Sequence, residues 1–62
     1  MTTETASFDD WLAFYTYRFA RIGSDALKGY WWIYGRDIDA SAPARDMAAW
    51  AAVNAAMQAR GL

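Results

Sequence analysis

The acids of Asp37-Ile38-Asp39-Ala40-Ser41 are the first residues whose types and spacing suggest chemistry, because D-x-D-x-S opens a calcium loop. Such a loop also needs Gly at its sixth position and a bidentate Glu at its twelfth. Here those positions are Ala42 and Ala48. The match fails twice, so a turn or a helix cap is the expected role. Asp9 and Asp10 are the other paired acids, but adjacent residues on a helix point ~100° apart. They suit a first helical turn, where the dipole favours negative charge, better than acid–base work. The chain has no His and no Cys, hence no imidazole or thiolate ligand, no disulfide and no Ser-His or Cys-His nucleophile. No Walker or G-x-G-x-x-G pattern occurs. The expectation is a non-catalytic chain with no metal site and no cofactor.

Charge points the same way. Five Arg and one Lys face six Asp and one Glu, interspersed along 62 residues for a net charge of −1. A nucleic-acid binder displaces counterions with a basic stripe, and the sequence contains none. Met1 to Thr5 has neither the basic nor the apolar segment of a signal peptide. The longest uncharged aromatic run, residues 29–35, is far below the ~20 residues that span a bilayer. A soluble cytoplasmic protein is expected.

The apolar content is unusual in kind. Leu, Ile, Val and Phe together make only ten residues, and four Trp and four Tyr take the place of the missing aliphatics. Each aromatic ring buries a large area, so an aromatic-plus-alanine core is expected. A chain this short buries only ~60% of its unfolded surface, which leaves it marginal alone.

These residues are positioned by helices. Residues 1–6 are patternless and expected to be a disordered tail, leaving 7–62 as a single helical domain. Ser7, followed by Asp9 and Asp10, is a good helix start. From there Phe8, Leu12, Tyr15, Phe19, Ile22, Ala26, Gly29 and Ile33 alternate by four and three, the spacing of a shallow helical seam. That phase runs through Gly23 unbroken and predicts one long helix, about 8–34, ended by Gly35. The alternative is a kink or split at Gly23, with Gly23 as a C-terminal stop and Ser24 as a new cap, giving three helices. Pro43 opens a second helix, about 43–60, capped by Ser41 or Ala42 and stopped by Gly61. It carries an alanine stripe (Ala44, Ala48, Ala51, Ala55, Ala59) beside a stripe of Met47, Trp50, Val53, Asn54 and Met57. Asn54 either sets register across a helical interface or points to water. The fold class is all-α, an antiparallel helical hairpin.

A two-helix hairpin leaves much uncovered. Leu27, Tyr30, Trp31, Trp32, Ile33 and Tyr34 spread around the whole helical circle, and a helix apolar all round is normally buried. Beside the seam, Phe14, Tyr17, Arg18, Arg21, Asp25, Lys28 and Trp32 share a face on which Arg21–Asp25, Phe14–Arg18 and Lys28–Trp32 are four apart. Trp, Tyr and Arg are the residues of interface hot spots. The expected partner-binding set is therefore Phe14, Tyr17, Arg18, Arg21, Leu27, Tyr30, Trp31, Trp32 and Tyr34. The expected function is that of a small interaction protein, an accessory subunit or inhibitor docking its aromatic helix onto a larger protein. A homodimeric four-helix bundle is the alternative, and a membrane-surface or apolar-ligand binder ranks third, since no helix face is rich in Lys and Arg. A three-helix fold that draws the aromatic segment into its own core is the reading that competes with all of these.

Overall fold

The computed structural model describes residues 7–62; the tail expected over residues 1–6 lies outside them. Three helices follow one another: α1 (Phe8–Phe19), α2 (Ser24–Asp37) and α3 (Ala44–Arg60). The capping at the start of α1 matches expectation. The Asp10 amide donates to Ser7 Oγ (3.3 Å) and the Ser7 amide donates to Asp10 Oδ2 (3.1 Å), a reciprocal capping box.

The single helix over 8–34 does not form, and the split at Gly23 does. Leaving α1, the chain turns over residues 20–23 and α2 runs back in the opposite direction; both helices pack mainly on α3 and meet each other through their rings, Tyr15 on Tyr34 and Phe19 on Tyr30. Gly23 is the N-cap of α2 rather than a stop for α1, with φ −70° and ψ 159°. That conformation is open to any residue, so glycine's backbone freedom does not explain the break. Burial explains it better. A continuous helix exposes one side of its aromatic segment, whereas folding back takes Phe19 and Leu27 to 1% and 0% exposure.

Arg60, in the last turn of α3, secures the break. Its Nη2 donates to the carbonyls of Phe19 (2.9 Å) and Ile22 (2.8 Å), and Nη1 reaches Ser24 Oγ at 3.3 Å. In a continuous helix those two carbonyls would accept from the amides of Gly23 and Ala26, four residues on. One planar guanidinium stands in for both amides and satisfies acceptors that a helix end otherwise leaves open.

Contacts along α3 fix the directions. Phe19 and Ser24 lie at its C-terminal end through Arg60, Trp11 lies near Arg45, and Gly35 lies against Trp50. The arrangement is therefore up-down-up, with α2 antiparallel to both neighbours. Phe19, Leu27, Ala52 and Val53 form the core, lined by Leu12, Tyr15, Ile22, Tyr30, Tyr34, Trp50, Ala56 and Met57. Having two neighbours rotates the buried arc of α3. Ala48, Ala49, Ala52 and Val53 are buried, while Ala44, Ala51, Ala55 and Ala59 of the expected stripe are exposed. Likewise the seam beyond the break moves to Leu27, Tyr30 and Tyr34, leaving Ala26, Gly29 and Ile33 outward.

Two helix ends also move. Gly35 sits inside α2, which continues to Asp37. Pro43 is itself the N-cap of α3, with its carbonyl accepting from the Met47 amide at 3.1 Å. Gly61 ends α3 as expected, in the left-handed region at φ 74°. Between the helices Asp39 holds a turn: its Oδ1 accepts from both the amide and the hydroxyl of Ser41, each at 2.8 Å. The Ser41 hydroxyl, then the Ser41 amide, hold the Asp39 carboxyl below its ordinary pKa.

Candidate docking surface

The outward face expected on one long helix is divided by the break between two antiparallel helices. Phe14, Tyr17, Arg18 and Arg21 stay with α1 and the turn after it, whereas Asp25, Lys28 and Trp32 lie on α2. All seven are exposed. Their pairing differs from expectation because the helix between them is interrupted. Arg21 lies over the Tyr17 ring, 4.0 Å from its centroid, in place of pairing with Asp25. The cation over Trp32 is Arg36, at 4.9 Å, in place of Lys28.

Three residues of the expected partner-binding set belong to the molecule's own core. Leu27 is fully buried, and Tyr30 and Tyr34 are half-buried and stacked on each other with ring centroids 6.2 Å apart. Tyr15 continues the stack toward Phe19 at 5.5 Å. Burial pushes the Tyr34 hydroxyl from 10.0 up to about 12, and its interaction with the Tyr15 hydroxyl adds to that. These rings are the structural ladder between α1 and α2 rather than free surface.

The other side of α2 meets α3 through tryptophan. Trp31 Nε1 donates to Asn54 Oδ1 at 3.1 Å, and Asn54 Nδ2 donates to the Trp50 carbonyl at 2.8 Å. Asn54 thus sets the register of α2 on α3, one of the two roles open to it from sequence. The Trp31 and Trp50 rings lie 6.1 Å apart. A Cβ on Gly35 would come within 2.8 Å of Trp50 Cη2 and Cζ3. Glycine is needed there because the indole occupies that space. The result is an open groove of about 290 Å³ lined by Trp31, Trp32, Gly35, Arg36 and Trp50.

Outward aromatics remain on both helices. Phe14 and Tyr17 are 51% and 64% exposed, and Trp32 and Ile33 are 58% and 51% exposed. Chemically, these surfaces offer ring faces with guanidinium groups laid over them. Among the described residues, no buried side-chain polar atom lacks a partner, and no group of three acids could hold a metal ion. No helix of the described residues is long and apolar enough to cross a membrane. Two residues that matter were not legible as such. The sequence marks position 60 only as the approximate end of the last helix, and it reads Gly35 as a stop. In both cases the partner is distant in sequence. No family model, curated protein or solved structure matches the chain.

Proposed function

We propose that this chain is a non-catalytic interaction protein, an accessory subunit or inhibitor that docks onto a larger protein through aromatic side chains on its outer face. One observation carries the reading. The core is complete without Phe14 and Tyr17, yet both are more than half exposed, one helical turn apart on the outer side of α1. With Arg18 and Arg21 beside them, they supply the residue types that dominate binding hot spots. The tryptophan groove between α2 and α3 is a separate element, able to take an apolar side chain against Trp31 and Trp50. The cytoplasm is the compartment expected from the sequence.

The test is affinity capture with the full chain against the double variant Phe14→Ser/Tyr17→Ser, checked by circular dichroism for unchanged helix content. A protein retained saturably by the wild type and lost with the double variant supports docking. Equal retention by both, or none by either, refutes it.

A further inference from the structure

Gly29 lies inside α2, where glycine is among the poorest helix formers. Its lack of a side chain serves no contact within the chain, since nothing lies within 4 Å of where a Cβ would sit. Gly35, six residues on, is the contrast, because Trp50 fills its space. Around Gly29 is a shallow depression of about 310 Å³ lined by Ala26, Gly29, Tyr30 and Ile33. At 100° per residue, Asp25, Gly29, Trp32 and Arg36 fall within ~60° of one another on the helix, on the side opposite Leu27 and Tyr34.

We infer that this face of α2 receives α2 of a second copy of the chain, antiparallel, with the Trp32 ring of each copy seated over Gly29 of the other. Symmetry argues for a second copy as the occupant. α2 spans residues 24–37, and Gly29 and Trp32 lie equally far on either side of its midpoint. Asp25 in the first turn and Arg36 in the last turn are also equally placed about it. Laying two such helices midpoint on midpoint, head to tail, brings each Trp32 ring against Gly29 of the other copy and Asp25 to Arg36 twice, while the depression toward Ala26 and Ile33 opens ~80° round the helix at the flank of the contact. It also opposes the helix dipoles favourably. Arg36 keeps its place over Trp32, and its five N–H donors allow it to serve more than one acceptor. The net charge of −1 leaves little repulsion between copies.

Area sets the strength. At 58% and 51% exposure Trp32 and Ile33, with the small residues beside them, offer about 300 Å² of apolar surface per copy. The twofold contact thus buries about 600 Å² of apolar surface, the range of a weak, transient interface. A dissociation constant of tens to hundreds of micromolar is expected. This inference goes beyond the docking reading and does not rest on it: it leaves Phe14 and Tyr17 free for another protein, although Trp32 and Arg36 also line the tryptophan groove and would be shared with the second copy.

Sedimentation equilibrium on the pure full chain, from ~10 μM to ~1 mM, tests it. The wild type is expected to shift from monomer to dimer mass across that range. Gly29→Leu and Trp32→Ala each raise the dissociation constant at least ~10-fold, with unchanged helix content at low concentration. Asp25→Arg weakens the dimer, and adding Arg36→Asp to the same chain restores it. The two positions are eleven residues, ~16 Å, apart on one helix, so that rescue reports only contact between copies. A wild type that stays monomeric at ~1 mM overturns the dimer while leaving the capture experiment unaffected. A dimer indifferent to Gly29→Leu overturns this interface, and failure of the charge reversal to restore association overturns the antiparallel orientation.

Discussion

Replacing Arg60 with methionine keeps the apolar stem and removes the guanidinium that bridges the Phe19 and Ile22 carbonyls at 2.9 and 2.8 Å. Hydrogen bonds from a charged donor contribute ~1.5–3 kcal/mol each when well buried. Here the site is only part-buried and water can reach the abandoned carbonyls, so about half of that is expected. Two such bonds, with the helix-end charge effect of ~0.3–1 kcal/mol, put the loss at about 2–4 kcal/mol. At ~0.05–0.15 kcal/mol per residue, a chain of this length holds about 3–9 kcal/mol in all. The thermal midpoint should fall by roughly 8–30 °C. Arg60→Lys separates the two contributions. It keeps the charge at the end of α3, but a single ammonium lacks the fork that reaches both carbonyls. It should recover less than half the loss. Thermal and urea melts followed by circular dichroism measure both variants at low concentration. Hydrogen exchange should also quicken at the Ala20 and Arg21 amides, which donate to Thr16 and Arg18 in the last turn beside the clamp. If Arg60→Met melts within about 0.5 kcal/mol of wild type, water serves those carbonyls as well as Arg60 does and the clamp argument fails.

The glycines should respond with different signs when each is changed to alanine and melted at low concentration. Gly29→Ala is expected to stabilise by ~0.5–1 kcal/mol, since it lies in a helix interior with open space above it. Gly23→Ala should destabilise by ~0.5–1 kcal/mol, because alanine is a poor N-cap; a gain there would speak for a continuous helix. Gly35→Ala is expected to lose ~1–2 kcal/mol and shift tryptophan fluorescence as Trp50 is displaced; unchanged emission would count against that packing. Asn54→Ala should lose about 1 kcal/mol by leaving Trp31 Nε1 without its acceptor, measured by the same melts. With pH, Tyr34 favours its protonated form more in the folded state than in the unfolded one. Its contribution is therefore whole below pH 10.0 and lost as pH rises through about 12. Alkaline unfolding of wild type but not of Tyr34→Phe in that window is the expected outcome, and identical curves would refute it.

Local features were readable because their partners are near in sequence. The Ser7 cap answers to Asp10, three residues away. Gly61 stops α3 with local backbone bonds, and Asp39 binds Ser41 two residues on. The class of structure was readable too, since apolar spacing of three and four is helical wherever it occurs. The outward Phe14, Tyr17 and Trp32 were likewise identified from helical position alone, because they lie off the apolar stripe.

What required the tertiary structure was the choice between one helix and two through residues 20–23. The same 3.5-residue spacing serves a straight helix or a folded-back pair, and local energies hardly separate them. Burial of Phe19 and Leu27, together with a guanidinium arriving from Arg60, tips the balance. That decision then sorted the aromatic segment. Leu27, Tyr30 and Tyr34 went inward, while Trp32 and Ile33 stayed outward. By itself, the sequence determined an all-helical chain rich in aromatics, with neither imidazole nor thiol chemistry. Which rings form the core and which remain for a partner depended on a contact spanning about forty residues, beyond the reach of any local pattern.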